Sequence, residues 1–216
     1  MRIKTGIPGL DELLGGGLLS GSSALLRGPI GTVKVFMGIQ FIYEGLRSNE
    51  PCTYVSTSQD LGSIQDVAKS NFGWDFHGKN LSFIDLFGDK TLDIESYLDP
   101  KSVVDQILAK SRSGGRLLIH NLSHMTNFLK EERMISKIVS VLNLRLRKEG
   151  VTTMYILDQD AQPKWLEVNL ASLCDNVLVM GGSRCGIKVL RAFSRHSVEW
   201  HDISFTDQGI KVHLTS

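Results

Sequence analysis

The sequence predicts an α/β fold with a mostly parallel central sheet, helices flanking that sheet, and antiparallel strands at the C-terminus. Short apolar runs typical of buried strands alternate with segments of helical periodicity over most of the chain. Beyond Gly181-Gly182 the pattern changes to short strand-like runs separated by turn residues. No linker, internal repeat or low-complexity segment interrupts the sequence. We therefore predict a single domain over residues 1–216.

Each element has a local signal. The pattern predicts strands at Ser22–Arg27, Thr53–Thr57, Leu81–Ile84, Arg116–His120, Val151–Leu157, Gly186–Phe193, Ile203–Phe205 and Ile210–Leu214. It predicts helices at Lys34–Leu46, from near Ser63, from Asp99-Pro100 to about Arg112, and at about Lys130–Lys148. Asp99 can cap free helix amides, and proline is favoured at the first helical position. Gly150 is a typical helix stop.

Composition narrows the class of protein. Apolar residues make up 42% of the 216 residues and charged residues 22%, and the formal net charge is +1. This balance disfavours a nucleic-acid or membrane surface, which needs a concentrated excess of Lys and Arg. There is no apolar run long enough to span a membrane and no signal-peptide pattern. Cys52, Cys174 and Cys185 form no CxxC pair, which favours free thiols in a reducing cytoplasm.

The loop after the first long predicted strand is the candidate ligand site, because ligands bind at the carboxyl ends of strands in such sheets. It runs Gly28-Pro29-Ile30-Gly31-Thr32-Val33-Lys34-Val35, the phosphate-loop frame GxxxxGK[ST] with two defining positions changed. Val33 replaces a glycine, and we expect that position to need a positive φ, which β-branched residues resist. Val35 replaces the hydroxyl that binds magnesium. Lys34 remains, so we expect ATP binding to be weak at most.

Several segments resemble the KaiC-like branch of the RecA superfamily in order and spacing. They are TGIPGLDE at Thr5–Glu12, LLGGG at Leu13–Gly17, Ser20-Gly21, IQFIYEGL at Ile39–Leu46, Tyr54-Val55-Ser56, His196-Ser197 with Glu199, and Thr206-Asp207 with Gly209-Ile210. The resemblance covers essentially the whole chain. It implies a RecA-like P-loop NTPase fold, and it implies an archaeal source because the family is abundant in archaea.

The resemblance also implies where the ATPase residues would fall, and other residue types stand there. The paired glutamates, one of which activates the attacking water, fall on Ser58 and Gln59. The aspartate that holds the magnesium shell falls on His120. The lysine and arginine that reach the neighbouring subunit's nucleotide fall on Leu190 and Ala192. Phosphoryl transfer needs positioning and charge neutralisation together, so we expect no catalytic residues, no hydrolysis and no required cofactor.

These replacements predict a regulatory or scaffolding subunit that acts through protein partners. An inactive RecA-type copy still offers one of the two contacting faces, so a homo- or hetero-oligomer is expected, with an active family member as one candidate partner. Two alternatives stay open. One is an accessory protein of DNA recombination or repair that binds single-stranded DNA. The other is a slow ATPase or a nucleotide sensor that binds ATP weakly.

Other groups of residues give weaker predictions. His120 and His124, and His196 and His201, have ligand-like spacing, but no Asp, Glu or Cys completes a set, so we predict no metal site. The chain has no G-x-S-x-G elbow, which disfavours a hydrolase triad.

Positive charge is concentrated in two segments of the chain. Arg112, Arg116 and the run Arg145–Lys148 are typical of solvated helix surface. RecA-type recombinases, which this chain resembles, grip single-stranded DNA with loops after the central strands, and the resemblance places those loops at residues 123–132 and 159–165. They carry the aromatic residues Phe128 and Trp165 but little net positive charge, so we expect no nucleic-acid binding.

Overall fold

The computed structural model describes residues 1–86, 97–181 and 186–214. Cys185 lies outside these residues. The helices of the described ranges are α1 (Leu10–Leu13), α2 (Lys34–Arg47), α3 (Leu61–Phe72), α4 (Pro100–Lys110), α5 (Leu122–Asn127), α6 (Met134–Lys148) and α7 (Lys164–Leu173). Among them, no helix combines the length and the apolar character that crossing a bilayer requires.

The strands form a small sheet and a large one. They are β1 (Arg2–Ile3), β2 (Leu18–Leu19), β3 (Ser23–Gly28), β4 (Cys52–Ser56), β5 (Leu81–Asp85), β6 (Arg116–His120), β7 (Thr152–Asp158), β8 (Asn176–Gly181), β9 (Gly186–Arg191), β10 (His201–Thr206) and β11 (Gly209–His213). β1 and β2 pair with each other, and the other nine form one sheet of order β11-β10-β9-β8-β3-β7-β6-β4-β5. Pairing is parallel from β8 to β5 and antiparallel from β8 to β11. The predicted fold class is confirmed.

Local sequence signals account for several element boundaries. Asp99 Oδ2 accepts a hydrogen bond from Ser102 N at 2.8 Å, and Pro100 is the first residue of α4, as predicted. Asp60 caps α3 in the same way. The predicted helix from Lys130 begins four residues later, at Met134. The sequence pattern did not predict α5, α7 or β8.

Helices cover both faces of the large sheet, and each face has its own core. Ala24 and Leu26 of β3 join the core under α2 and α3, whereas Leu25 points to the core under α4, α6 and α7. This alternation is the period-two pattern of a strand buried on both faces. The sheet therefore holds the carboxyl ends of its central strands in a fixed row.

Candidate functional site

The carboxyl ends of β3, β7, β6 and β4 lie side by side, because these strands are consecutive neighbours in the parallel part of the sheet. The loop Pro29–Val33 follows β3, and Thr57 follows β4. β6 ends at His120 and β7 ends at Asp158. The row therefore places Asp158, at the end of β7, between the phosphate loop and His120.

The phosphate loop reaches α2 without a left-handed residue at Val33. Val33 has φ −73° and ψ 17°, and the positive φ of the loop falls two residues earlier, at Gly31, with φ +82°. The expectation that Val33 occupies a positive-φ position was therefore wrong. The physical reason is that glycine at 31 absorbs the turn, which leaves Val33 in a conformation open to any residue. Val33 and Val35 are partly buried and pack against the core.

Lys34 is the cation of the loop, and its side chain turns inward. The Nζ atom donates to the Pro29 carbonyl oxygen at 2.5 Å and to Thr32 Oγ1 at 3.0 Å. It also lies 3.1 Å from Asp158 Oδ1, and the Lys34 side chain is only 3% exposed. A lysine ammonium has three donor hydrogens, and these three acceptors match that number. The charge is therefore neutralised by the chain itself.

A polar network extends from Asp158 across the row. Asp158 Oδ2 accepts from Asn121 Nδ2 at 2.5 Å. The Asn121 backbone N–H donates to Thr57 Oγ1 at 2.9 Å, and the Thr57 hydroxyl lies 3.3 Å from His124 Nδ1. Sequence reasoning missed Asp158. The available signal was an acidic residue placed directly after the predicted apolar run Val151–Leu157.

His120 is buried at the end of β6. Its Nδ1 lies 2.9 Å from the Tyr54 hydroxyl. Burial is the main cause that lowers the pKa of His120 to about 4. The charges of His124 and Lys34 lower this pKa further, whereas the Asp158 carboxylate raises it without offsetting the burial. The imidazole is therefore neutral at neutral pH, and the strand end carries no charge from it.

Ser58 and Gln59 lie at the surface just after β4. Their backbone N–H groups donate to Ser56 Oγ at 3.4 and 3.0 Å. The carboxylate that follows, Asp60, accepts from Ser63 N and Ser63 Oγ, and these bonds hold its pKa below the usual range. Asp60 is thus committed to capping α3.

A buried carboxylate fixes the loop after β7. Glu167 Oε1 accepts from the Asp160 backbone N–H at 2.6 Å and from Gln162 Nε2 at 2.9 Å, and Glu167 Oε2 lies 3.5 Å from Arg27 Nη1. The backbone of Asp160 is left-handed, with φ +62°. These contacts fix the loop that directly follows Asp158, and they therefore help to position Asp158, the partner of Lys34. Within the described residues, no group of three or more His, Cys, Asp or Glu side chains could hold a metal ion.

A family model described as "ATPase: KaiC" matches residues 3–215. The chain belongs to the KaiC ATPase family. It is 39% identical to a UPF0273 protein of Methanopyrus kandleri, over 98% of this chain and 91% of that protein. It is 30% identical to a UPF0273 protein of Pyrococcus horikoshii over 72% of this chain, and the match spans 56% of that relative's length.

The crystal structure of a KaiC-like protein from Pyrococcus horikoshii has the same fold. The TM-score is 0.80 at 25% sequence identity, and the match covers 99% of each chain. Both the family membership and the KaiC-like fold were predicted from the sequence, and both are confirmed.

The structure brings some of the predicted site residues of this KaiC domain together and separates others. The structure brings Lys34 and His120 into one row and adds Asp158 and Asn121 to it. The two aromatic residues of the predicted DNA-binding loops differ in exposure: Trp165 is exposed, whereas Phe128 is partly buried against the core. Arg116 was expected at solvated surface, and that was wrong, because its side chain is 1% exposed and paired with Glu50.

Proposed function

We propose that this KaiC domain does not hydrolyse nucleotide and acts as a regulatory or scaffolding subunit through protein partners. The observation that carries the proposal is the engagement of the Lys34 ammonium by Pro29, Thr32 and Asp158. In a working phosphate loop that ammonium reaches the β- and γ-phosphates. Here a phosphate would have to displace these contacts and approach the Asp158 carboxylate, a like charge that disfavours it.

The neighbouring positions supply none of the remaining chemistry. The Val35 side chain has no oxygen to place on magnesium, and neutral His120 stands where the family's magnesium aspartate falls. Ser58 and Gln59 cannot act as general bases at neutral pH. Phosphoryl transfer depends on charge neutralisation and on an oriented nucleophile together, so the combined replacements support loss of hydrolysis. The proposal requires no cofactor and no metal.

The end of β9 and the segment joining it to β10 support a partner-binding role. Leu190, Phe193, Val198 and Trp200 are large apolar side chains, and all four are exposed. The Lys188 ammonium lies 4.9 Å from the centre of the Trp200 ring. Leu190 stands where the resemblance places a lysine that reaches the next subunit. We propose that this face contacts another subunit, a second copy or an active KaiC relative, by apolar burial where the family uses charge.

We also propose a cytoplasmic setting for the domain. Cys52 and Cys174 are free and buried. Burial raises the pKa of each thiol to about 12, so neither carries reactive thiolate at neutral pH. Free thiols persist in reducing compartments.

A nucleotide sensor is the second candidate, and one specific observation favours it. The Lys34–Asp158 pair sits inside the phosphate-loop frame, so a nucleotide that displaced the Asp158 carboxylate would have a ready cation. Such a protein would bind Mg-ATP without turning it over. Thermal stability in the presence of Mg-ATP distinguishes this candidate from the first.

The proposed loss of hydrolysis is tested by phosphate release. Purified protein incubated with Mg-ATP or Mg-GTP should release no phosphate above a heat-denatured control. Lys34→Ala serves as the matched variant, because any genuine turnover at this loop depends on that ammonium. Turnover that scales with protein concentration and disappears in Lys34→Ala would contradict the proposal.

A further inference from the structure

A groove lies between α4 and α6 on the surface of the helical layer. Its cavity of about 260 Å³ is lined by Pro100, Lys101, Val104, Asp105, Lys137, Ile138, Val141 and Arg145. Val104 and Ile138 are buried and form an apolar floor. The volume is below the roughly 300 Å³ at which small-molecule pockets begin, so the groove suits side chains of a macromolecule better than a free ligand.

The rim of the groove is positively charged. Lys101, Lys137 and Arg145 are exposed, and Asp105 is the single carboxylate among the lining residues. Within the ranges that the structure describes, no ion pair within 4.0 Å involves any of the three cations. The rim therefore presents three cations against one carboxylate around an apolar floor.

The exposed face of α6 continues this pattern. Lys137, Val141, Leu144, Arg145 and Lys148 recur at helical spacing and are all exposed, with Val141 at 37% and Leu144 at 62%. Lys137 and Arg145 are eight residues apart, roughly 12 Å along the helix, which is about two helical turns. A short helix laid in the groove would match this length.

We propose that the α4–α6 groove binds an acidic amphipathic helix of a protein partner. Apolar side chains of that helix at i, i+3 or i+4, and i+7 would contact Val104, Ile138 and Val141. Its Glu or Asp side chains would face the cationic rim, and complementary charge of this kind sets orientation and association rate. The inference rests on the proposed function only in that the domain acts through protein partners.

The helices that the structure describes in this chain do not supply such a ligand, so a second copy is not the occupant we propose. Among the described residues, each helix carries at most one exposed acidic side chain, because Asp11 of α1 and Glu167 of α7 are buried. The phosphates of a nucleic acid would match the positive charge of the rim, but its backbone would not bury the apolar floor formed by Val104 and Ile138. An acidic amphipathic helix satisfies both features.

The test is a selection from a phage-displayed library of randomised peptides of about 16 residues, roughly 24 Å as helices, against the intact protein. We expect enrichment of peptides with Glu or Asp on one helical face and Leu, Phe or Met on the other. In fluorescence anisotropy, Lys137→Glu/Arg145→Glu should weaken the selected peptides by about tenfold or more. The matched control Lys69→Glu/Lys211→Glu reverses two exposed cations on other elements and should leave affinity unchanged.

Lys137→Gln/Arg145→Gln provides a neutral variant should charge reversal perturb folding, which circular dichroism monitors. Its binding should fall between wild type and the reversed variant. No enrichment, enrichment without acidic bias, or equal loss in the control pair would overturn the proposal. So would labelled single-stranded DNA binding at this rim, or dimerisation in sedimentation experiments that Val141→Asp abolishes. Phosphate release does not enter any of these measurements, so failure here and failure of the proposed function remain distinguishable.

Discussion

At the scale of single residues, the site is governed by which charges are already satisfied. Lys34 and Asp158 neutralise each other at 3.1 Å, and Asn121 uses the second oxygen of that carboxylate. His120 reaches neutrality differently, since burial keeps its ring uncharged while the Tyr54 hydroxyl meets its Nδ1. The row of strand ends thus combines one compensated ion pair with one suppressed charge. Stability should depend on pH through the second of these.

His120 should make the fold less stable in mild acid. Its pKa falls from 6.5 to about 4, so between these values the unfolded chain binds a proton that the folded protein does not. Stability is therefore complete above the unfolded pKa and declines as pH falls toward 4. Between pH 7.5 and pH 5 we expect His120 to account for a loss of about 2 kcal/mol.

Urea unfolding of wild type and His120→Gln at both pH values measures this contribution. The free energy of unfolding of the variant should fall less between pH 7.5 and pH 5 than that of wild type. Any fall that remains in the variant comes from other titratable groups. The exposed residue His213, changed to Gln, is the control and should follow wild type. Identical pH dependence in wild type and His120→Gln would refute the assignment to His120.

At the scale of elements, β6 is fixed to its surroundings by an arginine at its start. Arg116 Nε and Nη2 donate to the Glu50 carboxylate at 2.7 and 3.1 Å, and Nη1 donates to the Lys4 and Phe41 carbonyl oxygens at 2.7 and 3.0 Å. One side chain thus connects the strand that ends in His120 to the C-terminus of α2 and to the N-terminal segment. Every Arg116 donor group has a partner, which is what burial of a guanidinium requires.

Arg116→Met should lower the free energy of unfolding by about 2–4 kcal/mol, because it leaves Glu50 and two carbonyl oxygens without their donor. The lower part of the range for a buried pair applies, since the Glu50 side chain is 25% exposed. Arg47→Met is the matched control, because the Arg47–Glu44 pair joins side chains 64% and 25% exposed and should contribute less than about 1 kcal/mol. Equal losses in the two variants, measured by urea denaturation, would argue against a structural role for Arg116.

Arg116 also shows where sequence reasoning reaches its limit. Apolar periodicity predicts the central strands because burial on both faces selects the residue types in β3, β6 and β7. Charge alone does not reveal that Arg116 is buried, because its partners at Lys4, Phe41 and Glu50 are distant in sequence. Asp158 escaped notice for the same reason, since its role appears only when β7 lies beside β3. The prediction for Val33 was wrong for a different reason. The motif led us to expect a positive φ at Val33, but Gly31 is the residue that adopts it.

At the scale of the whole molecule, the proposed functions occupy separate surfaces. The phosphate loop lies at the carboxyl edge of the sheet. The exposed apolar residues of the proposed subunit contact lie at the end of β9 and in the segment that follows it, and the α4–α6 groove lies between those two helices. The three surfaces share no residue. A scaffold needs this separation, and an enzyme that closes over its substrate does not. The nucleotide response of the intact protein then decides between scaffold and sensor.

Mg-ATP should not raise the melting temperature of the wild-type protein. A working phosphate loop at 100 times its Kd gains about 2.7 kcal/mol by mass action. In a domain of this size each kcal/mol raises Tm by roughly 2–4 °C, so a functional site would give a rise of at least about 5 °C. Wild type should show none, because Lys34 is already paired.

Asp158→Asn should show a measurable rise in melting temperature with Mg-ATP, since the amide keeps an oxygen for Asn121 but no longer neutralises Lys34. Asp207→Asn, at the exposed β10–β11 turn, should behave as wild type. A wild-type rise above about 5 °C with Mg-ATP, absent with magnesium or phosphate alone, would identify the domain as a nucleotide sensor.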